Sequence, residues 1–156
     1  MTTYPTSTAP AAKAWLFGQL QTTLTAASDA TFSCTYATEV DTLAGAGDQV
    51  WMGGIVNRNV TVLALLGDMG AGSLKEEYNL EVNVSCYRRS DKGDTAETRA
   101  WDLAGQIETV ARTDPTLGGN VTISRPAQSN STVDWDDAGT GRICTLTLNI
   151  YCLAQL

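Results

Sequence analysis

The sequence predicts an α+β domain: a mostly antiparallel sheet with two helices packed on one face. Two segments, residues 77–86 and 144–152, alternate apolar and polar side chains with the period of a half-buried strand. Between them, Ala96, Ala100, Leu103, Ile107 and Val110 recur at helical spacing and form one continuous stripe. A second, alanine-rich segment near the start has the same helical character. Runs of strands with two separated helices describe an α+β layer arrangement rather than alternating βαβ units.

Residues 1–10 read as a flexible leader and residues 11–156 as a single domain, a size that buries a core without staples. Residues 11–27 predict the first helix. Pro10 stands near its start, where a missing N–H costs nothing, and Ala12, Trp15, Leu16, Gln19, Leu20 and Thr23 share a face. Phe32, Cys34 and Tyr36 alternate with Thr31, Ser33 and Thr35, which predicts a strand over 30–37. Residues 38–48 read as loop. Residues 49–56 predict a short strand, with Gly53-Gly54 marking a bulge or a close backbone approach. Residues 59–67 fit strand or helix alone; their shortness and Gly67 favour a strand, and 67–74 a projecting tip.

The next strand sets Tyr78, Leu80, Val82, Val84 and Cys86 on one face and Glu77, Asn79, Glu81, Asn83 and Ser85 on the other. Such a sheet packs on helices on one side and meets water on the other. Thr95 is the expected N-cap of the second helix, and Asp114-Pro115 its end, because the residue before proline avoids the helical region. Residues 120–126 predict a further strand and 127–141 a long polar loop holding Trp135. A final strand places Cys144, Leu146, Leu148, Ile150 and Cys152 on one face. The expected order is therefore α-β-β-β-β-α-β-β.

Composition excludes several functions. The chain has no histidine, so Ser-His and Cys-His nucleophilic arrangements are ruled out. Ten basic against seventeen acidic residues leave a charge of −7, with no basic patch to neutralise nucleic-acid phosphates. The four cysteines show no CxxC pair. Cys144 and Cys152, about 27 Å apart on one strand, cannot bridge each other. They read as reduced, buried thiols. Glu76 and Glu77 point to opposite faces of a strand and cannot share a substrate. Asp134, Asp136 and Asp137 lack the spacing of a calcium loop and its closing glutamate. Trp15 and Trp101 read as core residues, Trp51 as core or interface, and Trp135 as an exposed interface residue. The stripe Glu77, Asn79, Glu81, Asn83 is most simply a solvated sheet face; its functional alternative is contact with a neighbour or a channel. No apolar run is long enough for a membrane helix, and the start of the chain lacks signal-peptide character. No cofactor, metal or catalytic site is expected.

Three stretches carry a family resemblance: AAKAWLFGQLQTTL, EEYNLEVNVSCYRR, and RAWDLAGQIETVARTDPTLGGNV followed by a glycine-led final strand. In this order, spanning about residues 11–154, they resemble the tail terminator (neck or head–tail connector) proteins of long-tailed bacteriophages. VWMGGI is in keeping with that family. The resemblance implies a structural virion protein rather than an enzyme. It would form a homohexameric ring that caps the tail tube, ends polymerisation of the tube protein and meets the head-completion proteins. Genomic DNA would pass through its lumen without specific binding, and six copies at −7 each would make an acidic collar. On this reading Glu77, Glu81, Asp68, Met69 and Leu74 make ring or tube contacts, and Asp134, Trp135 and Asp136 meet a neighbouring neck protein. The rival readings are another head-closure or tail-tube protein, and a small carboxylate enzyme.

Overall fold

The computed structural model describes residues 6–37, 47–62, 74–91, 93–135 and 139–156. The elements run α1 (Ala9–Thr23), β1 (Phe32–Thr35), β2 (Asp48–Val62), β3 (Leu74–Arg89), α2 (Thr95–Thr113), β4 (Ile123–Trp135) and β5 (Gly141–Gln155). The five strands form one sheet in the order β1-β2-β3-β5-β4. β1 runs parallel to β2 and every other pair is antiparallel, so the sheet is mixed. Of the described helices, α2 lies over β3, β5 and β4, while α1 packs beside it over β1, β2 and β3.

The alternation in β3 is realised: Tyr78, Leu80, Val82, Val84 and Cys86 are buried, and Glu77, Asn79, Glu81 and Asn83 are half-buried. β3 pairs with β5 from Lys75↔Gln155 to Arg89↔Gly141 without a register shift, which aligns Cys144, Leu146, Leu148, Ile150 and Cys152 with the same buried layer. The predicted stripe of α2 is wholly buried, with Ala104 and Ala111 added. Small alanines let this helix approach the sheet closely, while Leu103 and Ile107 supply about 1.5–3 kcal/mol each by burial. In α1 the buried residues are Ala9, Ala12, Leu16 and Leu20, whereas Gln19 and Thr23 face solvent.

Several expectations are corrected. α1 opens at Ala9, inside the segment read as leader, with Pro10 in its first turn. The strands expected at 49–56 and 59–67 are one strand, β2, at least as far as Val62. Two register shifts, between Met52 and Ile55 and between Val56 and Asn59, let it continue past its turn-like residues. At the first shift a Cβ on Gly53 would lie 2.7 Å from the Glu81 Cβ, so only glycine fits. At the second, Asn57 adopts φ 54°, a left-handed conformation that asparagine tolerates.

The segment read as a long loop from 127 is strand through Trp135. β4 is an edge strand that is almost wholly exposed beyond Pro126, so it shows no apolar alternation there. Residues 120–122 belong to the preceding turn, not to the strand. Thr95 is not the N-cap; Asp94 holds that position and makes no side-chain cap bond. Asp91 does the work instead, its Oδ2 accepting from the Ala96 N–H at 3.0 Å and its Oδ1 from the Gly93 N–H at 2.8 Å. Trp101 is exposed, not core. Beyond α2, Asp114 closes a tight turn by accepting from Thr116 and the Gly118 N–H.

Candidate functional site

The open face of the sheet, opposite the helices, is polar. Glu77 lies 3.1 Å from Lys75 Nζ and accepts a short hydrogen bond, 2.5 Å, from the Tyr151 hydroxyl. These two donors hold its carboxyl below the ordinary range. Glu81, four residues on along the same face, accepts from the Gly54 N–H at 3.2 Å, at the first β2 bulge. Asn83 accepts from Thr147 at 2.8 Å, and Arg125 stacks over the Tyr151 ring at 5.1 Å. The strand registers place Lys75, Arg89 and Arg125 on this face with Glu77, Glu81 and Asp134. Among the described residues the face is therefore electrically balanced.

Leu74 is the first residue of β3, half-buried, opposite Val62. Asp134 and Trp135 end β4 at the other end of the sheet, opposite Ile143 and Arg142. The Arg142 guanidinium lies 4.7 Å over the exposed Trp135 indole. The structure thus gathers Glu77 and Glu81 on one surface and sets Leu74 and the pair Asp134, Trp135 at opposite ends. Asp68, Met69 and Asp136 lie outside the described residues.

Of two buried carboxylates that anchor the fold, Asp48 was not singled out from sequence and Glu76 only as the neighbour of Glu77. Asp48, read as loop, opens β2 and is 1% exposed. Arg88 binds it through both terminal nitrogens, at 2.6 and 3.3 Å, and Arg99 Nε reaches it at 2.8 Å. Arg88 also holds Asp29 at 3.1 Å, and Arg99 holds Asp102 at 2.6 Å and the Thr25 carbonyl. Burial alone would raise the Asp48 carboxyl; the bonds and charge of Arg88 and Arg99 overrule it and hold it below its ordinary value. Glu76, fully buried, receives Ser7, Thr8 through both backbone and hydroxyl, and Arg58 at 2.6 Å. Burial pushes it up as well, and Ser7, the Thr8 N–H and Arg58 bring it down.

A signal for both networks exists in the sequence. Glu76 and Arg88 continue the phase of Tyr78 through Cys86, so a charged residue on the core side of β3 demands a buried partner at each end.

Grooves run beside the Asp48 network. One of about 630 Å³ runs past Arg88, Arg99 and Thr98, but both guanidinium groups are already bound to aspartates. Among the described residues no group of three or more His, Cys, Asp or Glu side chains is placed to hold a metal ion. No described helix is long and apolar enough to cross a membrane. Burial pushes the Cys152 thiol up to about 12 and that of half-buried Cys34 up to about 11.

No protein-family model matches the chain, and no curated protein matches it significantly.

Proposed function

We propose that this chain is a structural ring subunit of a bacteriophage tail, a tail terminator that assembles as a homohexamer. In that role it caps the tail tube, stops further addition of tube protein and joins the tail to head-completion proteins in the virion, with DNA passing through the ring. The observation that carries the reading is the form of the sheet: among the described residues, helices cover one face, a polar face stays open, and both lateral edges have unpaired strand length. A subunit of that form completes its sheet edges with neighbours, and rotation closes a head-to-tail contact into a ring. The carboxylate-enzyme alternative loses support because the three buried carboxylates among the described residues are already engaged, Asp48 by two arginines, Glu76 by hydroxyls, the Thr8 N–H and Arg58, and Asp91 by backbone N–H groups.

If the open face lines the bore, DNA would meet a polar and neutral surface there, not the acidic collar that the total charge suggests. Adhesion is avoided either way, since no basic stripe is present to release counterions from the phosphates.

Native mass spectrometry tests the ring directly, with a hexamer or a monomer–hexamer equilibrium expected. Purified tail tubes incubated with the protein should show a cap at one end by electron microscopy and stop elongating. A monomer at every concentration that leaves tubes uncapped would overturn the reading. Phage lacking the protein should make overlong tails; complete absence of tails would favour a tail-tube role instead.

A further inference from the structure

Six of the eight large apolar side chains exposed among the described residues stand on two strands at opposite sides of the sheet. Ile55, Val60 and Val62 are on β2; Ile123, Val133 and Trp135 are on β4. β1 covers β2 only from Asp48 to Trp51, so Met52–Val62 has no strand beside it on the outer side among the described residues. β4 is the last strand on the far side. Both edges contain irregular stretches, the β2 shifts and the break between Pro126 and Ser129. Past those breaks each edge has a regular run, 59–62 on β2 and 129–135 on β4.

We infer that the outer edge of residues 59–62 in one copy pairs antiparallel with residues 129–135 in the next, so that one sheet runs on through successive subunits. This deepens the ring reading above and rests on it.

Three properties of the two runs match. Their apolar residues share a face: Val60 stands opposite buried Glu76 and Val133 opposite buried Cys144, so Val60, Val62, Val133 and Trp135 all lie on the helix side. Joining the edges in one sheet brings these residues into a single apolar row beyond the reach of either helix. Their larger polar residues also share a face, with Asn59 and Thr61 on the open side together with Asn130 and Thr132, while only the small Ser129 and Ser131 stand on the helix side. Cross-strand pairs of this kind are what stabilise a sheet. Both runs are also low in charge: in a chain of net charge −7, residues 59–62 carry none and residues 129–135 carry one, Asp134.

A second copy is the partner that fits because the chain itself supplies both complementary edges. An unrelated partner would need only one. The two runs lie at opposite ends of the sheet, since Val62 pairs at the start of β3 whereas Trp135 lies across β5 from its end. Neighbouring subunits are therefore offset along the strand direction, as closed β-cylinders require.

Four variants, each with one added surface cysteine in a Cys34→Ser background that keeps the three buried thiols, test the pairing: Asn59→Cys, Thr61→Cys, Asn130→Cys and Thr132→Cys. All four positions are exposed on the open face. Each is mixed with each other variant and treated with a short bismaleimide, and native mass spectrometry is run on the same samples. Covalent dimers are expected from mixing a β2 variant with a β4 variant, and not from any variant alone. Oligomers that yield no such mixed dimers overturn the edge pairing while leaving the ring reading standing. Dimers from Asn130→Cys or Thr132→Cys alone overturn it in favour of a two-fold β4–β4 contact. Protein that is monomeric throughout removes the ring reading and this inference with it.

Discussion

Arg88 grips Asp48 with two nitrogens at the seam where the end of β3 meets the start of β2, and Arg99 reaches the same carboxylate from α2. One buried aspartate thus joins two strands to a helix, and through Asp29 and Thr25 to the link between α1 and β1. Removing it would leave two guanidinium groups, one 8% exposed as a residue and the other 12% in its side chain, with only the exposed carboxylates of Asp29 and Asp102 as ionic partners. Asp48→Ala should therefore cost about 3–5 kcal/mol in urea unfolding, the scale of a broken buried pair. A loss under about 1 kcal/mol would contradict this account.

Glu76 gives a pH signature. Its folded carboxyl lies below the ordinary value of 4.5, so its contribution is complete above that value and is lost as pH falls through the lower folded value. Glu76→Gln keeps the shape and removes the charge. It should destabilise by about 1–3 kcal/mol at pH 7, and the gap to wild type should narrow as the pH falls below 4.5 and on through the lower folded value. A gap that is unchanged in acid would show that charge is not what the site uses.

Gly118 has φ +70°, and a Cβ there would lie 2.3 Å from the Trp15 Nε1. Gly119 has φ +81° with open space around it. Gly119→Ala should lose about 1 kcal/mol through backbone strain alone, and Gly118→Ala clearly more because the indole must also move. Thermal melts of the two variants side by side decide it; equal losses would remove Trp15 from the explanation.

Thiol labelling distinguishes the cysteines. Cys86, Cys144 and Cys152 are 0% exposed, and burial raises all three thiols. In native protein at pH 8, a chromogenic disulfide should titrate at most Cys34, slowly; four thiols should appear in denaturant. Rapid native reaction of more than one would mean that the sheet opens on the labelling timescale.

The core was legible where one face is sealed. Tyr78 through Cys86, Cys144 through Cys152, and the α2 stripe all announce themselves by period, because an apolar layer must face another. Residues 127–135 did not, since a strand at the rim with water on both sides has no period to show. Asn57 hid the continuity of β2 by resembling a turn while serving as a bulge. Trp101 misled because an aromatic beside an apolar stripe reads as part of it, although its position on α2 turns it to solvent. Glu77 and Glu81 were correctly placed on the open face, but their basic counterweights Lys75 and Arg125 come from a strand start and another strand, which spacing alone does not bring together.

The irregularities of the rim strands bear on the fate of a newly made chain. Pro126 offers no backbone donor, and the kinks at Gly53 and Asn57 twist the other border away from a flat template. An arbitrary extended peptide finds only the short regular runs 59–62 and 129–135 to grip. Cross-β stacking in a crowded pool of free protein is thereby discouraged, and only a sequence whose own breaks fall in step can zip on.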